Sequence, residues 1–296
     1  MKTFSIIIPV HNGLGYTKNC ITTILSILND SGIDYNQAPI VVVNDGSTDG
    51  TGEWIRESYP FIHLLNGDGN LWWSGGINAG VRYAIDNLNV DYILLWNNDI
   101  TPAADYFKQV QKIINKAESP EIICSVVYDK DQPDIIISTG CYFNTKTGTL
   151  RLINYHVKES ELTTEKLIIN SFGGMGTLIR KDVFQKIGFF DEVNFPQYYG
   201  DTDFGLRSSM AGFKITLNPM QKIWNDRTNT GLHSKKGGLK ELFESYRSIK
   251  SLYNINKDLK FYGKHSKSIL AYQALLQKHL IFLLSFCKRR LKSVPQ

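Results

Sequence analysis

IVVVNDGSTDGT, residues 40–51, decides how the rest of the chain is read. Ile40–Val43 is a β-branched run, too short for a helix and too apolar for a half-exposed strand, so it predicts a buried strand. The run stops at Asn44-Asp45-Gly46-Ser47-Thr48-Asp49-Gly50-Thr51, where Gly46 permits a sharp turn beside a ligand and a short helix through Glu53–Arg56 follows. Asp45 therefore stands at a strand's carboxyl end, able to accept from an imide N–H such as uracil or thymine N3 presents. An Asx-turn capping the Thr51–Ser58 helix accounts for the same residues.

On the N-terminal side, Phe4–Val10 is an Ile-rich run closed by Pro9-Val10-His11-Asn12-Gly13, and apolar residues at 20, 21, 24, 25, 27 and 28 predict a helix over Thr17–Asn29. On the C-terminal side come a third strand at Phe61–Leu65, a loop containing Gly67, Gly69, Gly75 and Gly76, and a helix at Ile77–Ile85. A fourth strand at Tyr92–Trp96 is closed by Asn97-Asn98-Asp99. This alternation predicts an α/β fold with a parallel, doubly wound sheet. Ligands in such sheets bind beyond the carboxyl ends of the strands, so the clusters at 11–12, 44–45 and 98–99 should face one pocket. After residue 100 the pattern changes to a helix (Ala104–Ala117), strands at Ile122–Val127 and Ile135–Ser138, a hairpin over Cys141–Tyr155 turning at Thr147-Gly148, and a strand at Met175–Ile179. These predict a mixed second half that completes the sheet. Residues 1–238 read as one domain with halves 1–100 and 101–238.

The chain has 296 residues, 42% apolar and 12% aromatic, which is globular and excludes disordered and collagen-like classes. Its net charge of +5 is unevenly spread. Residues 1–204 carry 15 Lys and Arg against 24 Asp and Glu, whereas residues 205–296 carry 18 against 4. An acidic domain followed by a basic tail suggests an anionic surface as partner. The four cysteines show no metal-ligand spacing and read as reduced thiols of a cytoplasmic protein. The apolar run near residue 4 is too short for a signal peptide core.

Two further clusters carry chemistry. Asn97-Asn98-Asp99 offers one carboxylate, sufficient for Mg²⁺ when a diphosphate supplies other oxygens, and equally compatible with a polar turn. Gly200-Asp201-Thr202-Asp203 opens a helix, where acids complement the helix dipole and where a carboxylate held beside Phe189–Tyr199 can serve as a general base. Trp72 and Trp73 suit a sugar or base face, or core packing at a loop-to-helix junction. His63 and His156 lie in strand-like segments and read as structural.

Together these segments resemble the glycosyltransferase family 2 catalytic domain, a GT-A-type fold. The matches are Phe4–Asn12, VVVNDGSTDGT at 41–51, LLWNNDI at 94–100 and YYGDTDFGLR at 198–207, with NLWWSGGINAGVRYA at 70–84 and FGGMGTLIRKDVFQKIGFFDE at 172–192 looking like its rhamnosyltransferase-like branch. The resemblance covers roughly residues 3–235. It implies that Pro9, His11 and Asn12 line the nucleotide pocket, that Asp45 binds the base, and that Gly75, Gly76 and Asn78 approach the ribose or diphosphate. It further implies that Asn98 contacts the donor, that Asp99 binds a divalent cation, Mg²⁺ or Mn²⁺, and that Asp201 is the general base of an inverting displacement. Trp73, Tyr199 and Asp203 fall on the expected acceptor side. Two departures stand out. Gly200 occupies a position where the family often has Glu, and the region of the family's metal-binding His reads Trp224-Asn225-Asp226, leaving His233 as the nearest candidate.

From Leu239 onward the pattern is helical and basic. Leu239–Tyr253 is amphipathic, and Ser268–Lys292 contains an apolar stretch of about thirteen positions, short of the roughly twenty that span a bilayer, followed by Lys288-Arg289-Arg290-Leu291-Lys292. Residues 239–296 are expected to lie in an anionic membrane interface on the cytoplasmic side, or to pack on the domain or on a second subunit. The expected function is transfer from a UDP- or dTDP-sugar to a glycan or lipid-linked glycan of the cell surface, with no nucleic acid partner. The alternatives are a nucleotidyltransferase, which normally has basic residues after the first strand where Val10–Gly15 has none, and a non-catalytic sugar-binding or polyanion-binding module.

Overall fold

The computed structural model describes residues 1–165, 167–228 and 238–292. The chain opens β1 (Phe4–Val10), α1 (Leu14–Asp30), β2 (Ile40–Asp45), α2 (Thr51–Ser58), β3 (His63–Gly67), α3 (Trp72–Asn87) and β4 (Tyr92–Leu95). Strands β3, β2, β1 and β4 lie side by side and parallel, as the alternation predicts. Pro9 is tolerated inside β1 because pairing with β4 ends at Ile7 and Leu95, so Pro9 has a ladder partner, Val43, on the β2 side only.

The second half adds β5 (Ile100–Pro102), α4 (Tyr106–Ile114), β6 (Ile122–Asp129), β7 (Ile135–Ser138), a hairpin of β8 (Cys141–Asn144) and β9 (Thr149–Leu152), and β10 (Val157–Lys158). After these come β11 (Thr177–Arg180), α5 (Lys181–Ile187), α6 (Gly200–Met210) and β12 (Ile215–Asn225). Strand β11 inserts antiparallel between β4 and β6, making the sheet mixed, and β12 runs parallel to β6 and antiparallel to β5. One apolar layer, with Ile21, Ile24 and Val110, covers one face, and another, with Ile77, Val81, Phe184 and Phe204, covers the other.

The structure corrects three expectations. Gly75 and Gly76 lie inside α3, not in a loop. A Cβ on Gly76 would meet Pro9 Cβ at 2.8 Å, and one on Gly80 would meet Ile7 Cγ2 at 2.3 Å, so these glycines let the helix lie close on the sheet. The strand β12 was not foreseen, since Pro219 and its polar neighbours hide it; the register shifts between Leu217 and Lys222, around that proline. Third, the amphipathic stretch from Leu239 ends as α7 at Arg247, and a separate α8 (Ile255–His265) follows before α9 (Ile269–Lys292).

The C-terminal helices dock on the α/β part of the chain. Phe261 and Tyr262 of α8 with Ala271 and Leu275 of α9 form one apolar cluster with Phe143, Phe195 and Leu206. Helix α9 contains a 22-residue segment, Ile269–Arg290, long and apolar enough to cross a membrane by length and composition. Its inner face is nevertheless packed, with Phe282 stacked on Tyr253 at 3.9 Å.

Candidate active site

The carboxyl ends of β1 and β2 and the start of α3 enclose a cavity of about 320 Å³, within the range of small-molecule sites. Strand β1 supplies Pro9, the residue just past its end is His11, and β2 supplies Asp45. Asp45 is buried, and its two oxygens accept the Gly69 N–H at 2.8 Å and the Trp72 N–H at 3.0 Å. Gly46 turns directly beneath this contact with φ +65°; any Cβ there would lie 2.8 Å from the Gly69 nitrogen. Capping of α2 falls instead to Asp49, which accepts from the Thr51 N–H and hydroxyl and also from the Leu14 N–H. Asp45 is therefore an oriented acceptor on the cavity wall and not a helix cap.

His11 Nδ1 lies 2.5 Å from the Asp45 carbonyl oxygen, which makes it the donor, and Asn12 Nδ2 donates to Nε2 at 3.0 Å. These two contacts hold the ring between the Asp45 backbone and the Asn12 side chain. Asn12 Oδ1 accepts the Thr48 N–H at 2.8 Å and the Asn12 N–H reaches Ser47 Oγ, so Asn12 clamps the 45–51 loop to the end of β1.

Trp72 opens α3 with φ +56°, a left-handed conformation that costs a bulky side chain about 1–3 kcal/mol and that its N–H bond to Asp45 holds. Its indole lines the cavity beside Trp73, Gln197 and Tyr198. Trp73 connects the cavity to the other two clusters. Its Nε1 donates to Asn97 Oδ1 at 2.9 Å, and its ring lies so close to Gly174 that a Cβ there would be 2.1 Å away. The Gly174 N–H in turn donates to Asp201 Oδ2 at 3.2 Å.

Asp201 is half-buried in the first turn of α6, and its other oxygen accepts the Thr202 N–H at 2.7 Å. Burial pushes its carboxyl above the ordinary value, with those two backbone bonds opposing the rise. Asp99 stands at the end of β4 with Oδ1 buried and, among the described residues, without a hydrogen-bond partner. Burial, with a smaller contribution from the nearby Asp226 charge, raises it to about 6. An unpaired buried carboxylate oxygen fits a cation. Among the described residues no group of three or more His, Cys, Asp or Glu side chains surrounds a common point, so further ligands would be water or substrate oxygens. His233 lies outside the described residues.

The structure does not bring every expected residue to the cavity. Gly75 and Gly76 face Pro9 and Leu71 from within α3. Asn78 is buried, donating to the Phe190 carbonyl at 2.9 Å and to Glu192 Oε2 at 2.6 Å while accepting the Phe190 N–H at 3.0 Å, so it braces the 190–192 segment. Asn98 donates to Thr17 Oγ1 at 3.1 Å. Tyr199 stacks on Phe261 at 4.2 Å, turned toward the C-terminal helices. Asp203 has no exposed surface and binds Arg207 Nε at 2.8 Å, Lys264 Nζ at 2.7 Å and His265 Nε2 at 2.8 Å. It is a tie between α6 and α8 and not an acceptor contact. Sequence reasoning missed Gly69, Gln197 and Lys250 as cavity walls; none carries a motif of its own.

With this geometry in place, residues 5–188 match the model for glycosyl transferase family 2. The chain belongs to that family. Among the proteins it is similar to is the low-salt glycan biosynthesis hexosyltransferase Agl10 of Haloferax volcanii, 29% identical over 189 residues covering 60% of this chain and 55% of that protein. Glycosyltransferase GlyA of Streptococcus pneumoniae is 29% identical over 75% of this chain and 32% of its own length. The chain spans about half the length of the first of these and a third of the second. The mannosyltransferase PcManGT of Pyrobaculum calidifontis, solved in complex with GDP-Man and Mn²⁺, superposes with a TM-score of 0.57 at 14% identity over 98% of this chain and 72% of that one. The fold is of the GT-A type, as the sequence resemblance implies.

Proposed function

We propose that this chain is an inverting glycosyltransferase that moves a sugar from a UDP- or dTDP-sugar to an acceptor hydroxyl of a growing cell-surface glycan. The observation that carries the reading is the Trp73 bridge, which joins an Asp45 cavity suited to a nucleoside, an Asn97–Asp99 strand end suited to a cation, and Asp201. Asp45 receives the base N–H, since both of its oxygens are already oriented by backbone donors and each keeps a lone pair. Asp201 takes the proton of the acceptor hydroxyl as that oxygen bonds to the anomeric carbon; the bond from that carbon to the diphosphate breaks, and the nucleoside diphosphate leaves. A carboxylate raised by burial is a better base for this than an exposed one, and such catalysis is worth on the order of 10²–10⁴ in rate. Asp99 would hold a divalent ion, Mg²⁺ or Mn²⁺, which when bound supplies positive charge for the departing diphosphate.

Asp201→Asn is expected to abolish transfer while nucleoside diphosphate binding, measured by calorimetry, is retained. Near-normal turnover by this variant overturns the base assignment, and release of pyrophosphate in place of the nucleoside diphosphate favours a nucleotidyltransferase.

The reading extends to place: the acceptor is lipid-linked and the enzyme works at the cytoplasmic membrane face. In support, Leu276, Leu280 and Leu284 form an exposed row at helical spacing on α9, followed by Lys288, Arg289 and Arg290. Flotation with phosphatidylglycerol vesicles is expected for the intact chain and lost on changing the three leucines to glutamine. Equal flotation of both, or of neither, refutes it. Truncation is the wrong test, because Phe261 and Leu275 are part of the fold's packing.

A further inference from the structure

Lys250 comes from the C-terminal extension, outside the span matched by the family, yet it lines the cavity that holds Asp45. Its Nζ sits over the Trp72 ring at 5.7 Å. Among the described residues lining the cavity, it is the single Lys or Arg. The loop that presents it, between α7 and α8, is held with unusual care for an exposed segment. Asn254, buried, donates to the carbonyls of Arg247 at 2.8 Å and Ser248 at 3.1 Å while accepting the Lys257 N–H at 2.9 Å. Lys257, also buried, donates to the Ser251 carbonyl at 2.7 Å, and Lys278 to the Leu252 carbonyl at 2.9 Å. The Lys257 ammonium also lies 5.0 Å from the ring of Tyr198, another cavity wall.

Three polar side chains fixing the carbonyls of residues 247, 248, 251 and 252 leave the loop little freedom. Burying an ammonium is costly, and the burial draws Lys257 down to about 8. A loop fixed at such cost presents one side chain to the cavity, and that side chain is a cation.

We infer that Lys250 binds the phosphate groups of the nucleotide donor, so that the C-terminal extension is part of the donor site and not an appendage to it. The inference rests on the donor-site reading above. The indole of Trp72 orients the ammonium by its face, and the carboxylate of Asp45, on the same cavity wall system, reads the neutral base. One site thus separates its two charges between the two chemically different ends of the ligand. Lys257 and Asn254 act through the loop as positioning residues.

The test is calorimetric titration of UDP, dTDP and GDP, each beside its parent nucleoside, into wild type, Lys250→Ala and Lys250→Arg, all with Mg²⁺. Lys250 is exposed, so the variants keep the fold, checked by unchanged thermal unfolding. Lys250→Ala is expected to weaken the preferred nucleoside diphosphate by about 10- to 100-fold, to leave the nucleoside within about twofold, and to flatten the salt dependence of diphosphate binding; Lys250→Arg restores most of the loss. Unchanged diphosphate binding by Lys250→Ala, or an equal loss for nucleoside and diphosphate, overturns the phosphate role alone. A wild type that binds none of the three diphosphates overturns the donor-site reading itself, and this inference with it.

Discussion

Replacing Asp203 by Asn removes one negative charge from a point where Arg207, Lys264 and His265 converge. The carboxylate is fully buried between α6 and α8 and contacts Arg207, Lys264 and His265. Burial acts to raise its pKa, and the hydrogen bonds from His265 and Lys264 with the Arg207 charge overcome it, holding the group at about 2 against an ordinary 3.8. At 1.36 kcal/mol per unit that gap amounts to about 2.5 kcal/mol of folding stability. Because the folded value lies below the unfolded one, this stability is fully present above about pH 4 and is lost as pH falls through 2. The variant also leaves Arg207 and Lys264 without their shared carboxylate, and breaking a buried pair in this way costs about 3–5 kcal/mol. Urea unfolding of wild type and Asp203→Asn at pH 7 should therefore differ by roughly that amount, and the difference should shrink by about 2 kcal/mol when both are measured near pH 2. Hydrogen exchange should place the first loss of protection in Ile255–His265, the helix that the carboxylate ties down. A difference below about 0.5 kcal/mol at pH 7, the ordinary range for surface changes, or one that does not change with pH, refutes the reasoning.

Three further variants test the helix packing and the cation site. Gly80→Ala places a methyl 2.3 Å from Ile7 Cγ2 and should destabilise by about 1–3 kcal/mol despite the better helix propensity of alanine. Gly15→Ala, on α1 with nothing within 4 Å, should be neutral or stabilising by up to about 1 kcal/mol; equal thermal shifts for both variants would deny the close helix–sheet approach. Asp99→Asn should weaken Mn²⁺ binding in the presence of nucleoside diphosphate more than about tenfold by paramagnetic resonance titration, and unchanged binding would remove Asp99 from the cation site.

The parallel half of the fold was legible because the runs at 4–10, 40–43 and 92–96 are buried on both faces and end in polar clusters, a pattern that a surface strand does not produce. The same clusters pointed to Asp45, whose cavity position follows from strand topology alone. The glycines of α3 were not legible: a Gly-Gly pair reads as a loop by local propensity, and only the contact of Gly76 with Pro9 explains why the helix accepts the cost. Asp203 was misplaced for a different reason. An acid in the first turn of a helix looks available to substrate, and the side chains that enclose it, Lys264 and His265, stand about sixty residues later in a helix with no recognisable motif. Lys250 was hidden in the same way, since a basic tail shows its total charge in the sequence but not which single charge turns back.

The cavity's walls come from both sides of the family match, which ends at residue 188, while Gln197, Tyr198 and Lys250 follow it. A chimera made by moving residues 5–188 onto a relative's C-terminal part would therefore carry Asp45 and leave Gln197, Tyr198 and Lys250 of the enclosure behind. Engineering donor preference here means transplanting a discontinuous unit, with the cut placed after α8 and not at the edge of the recognisable module.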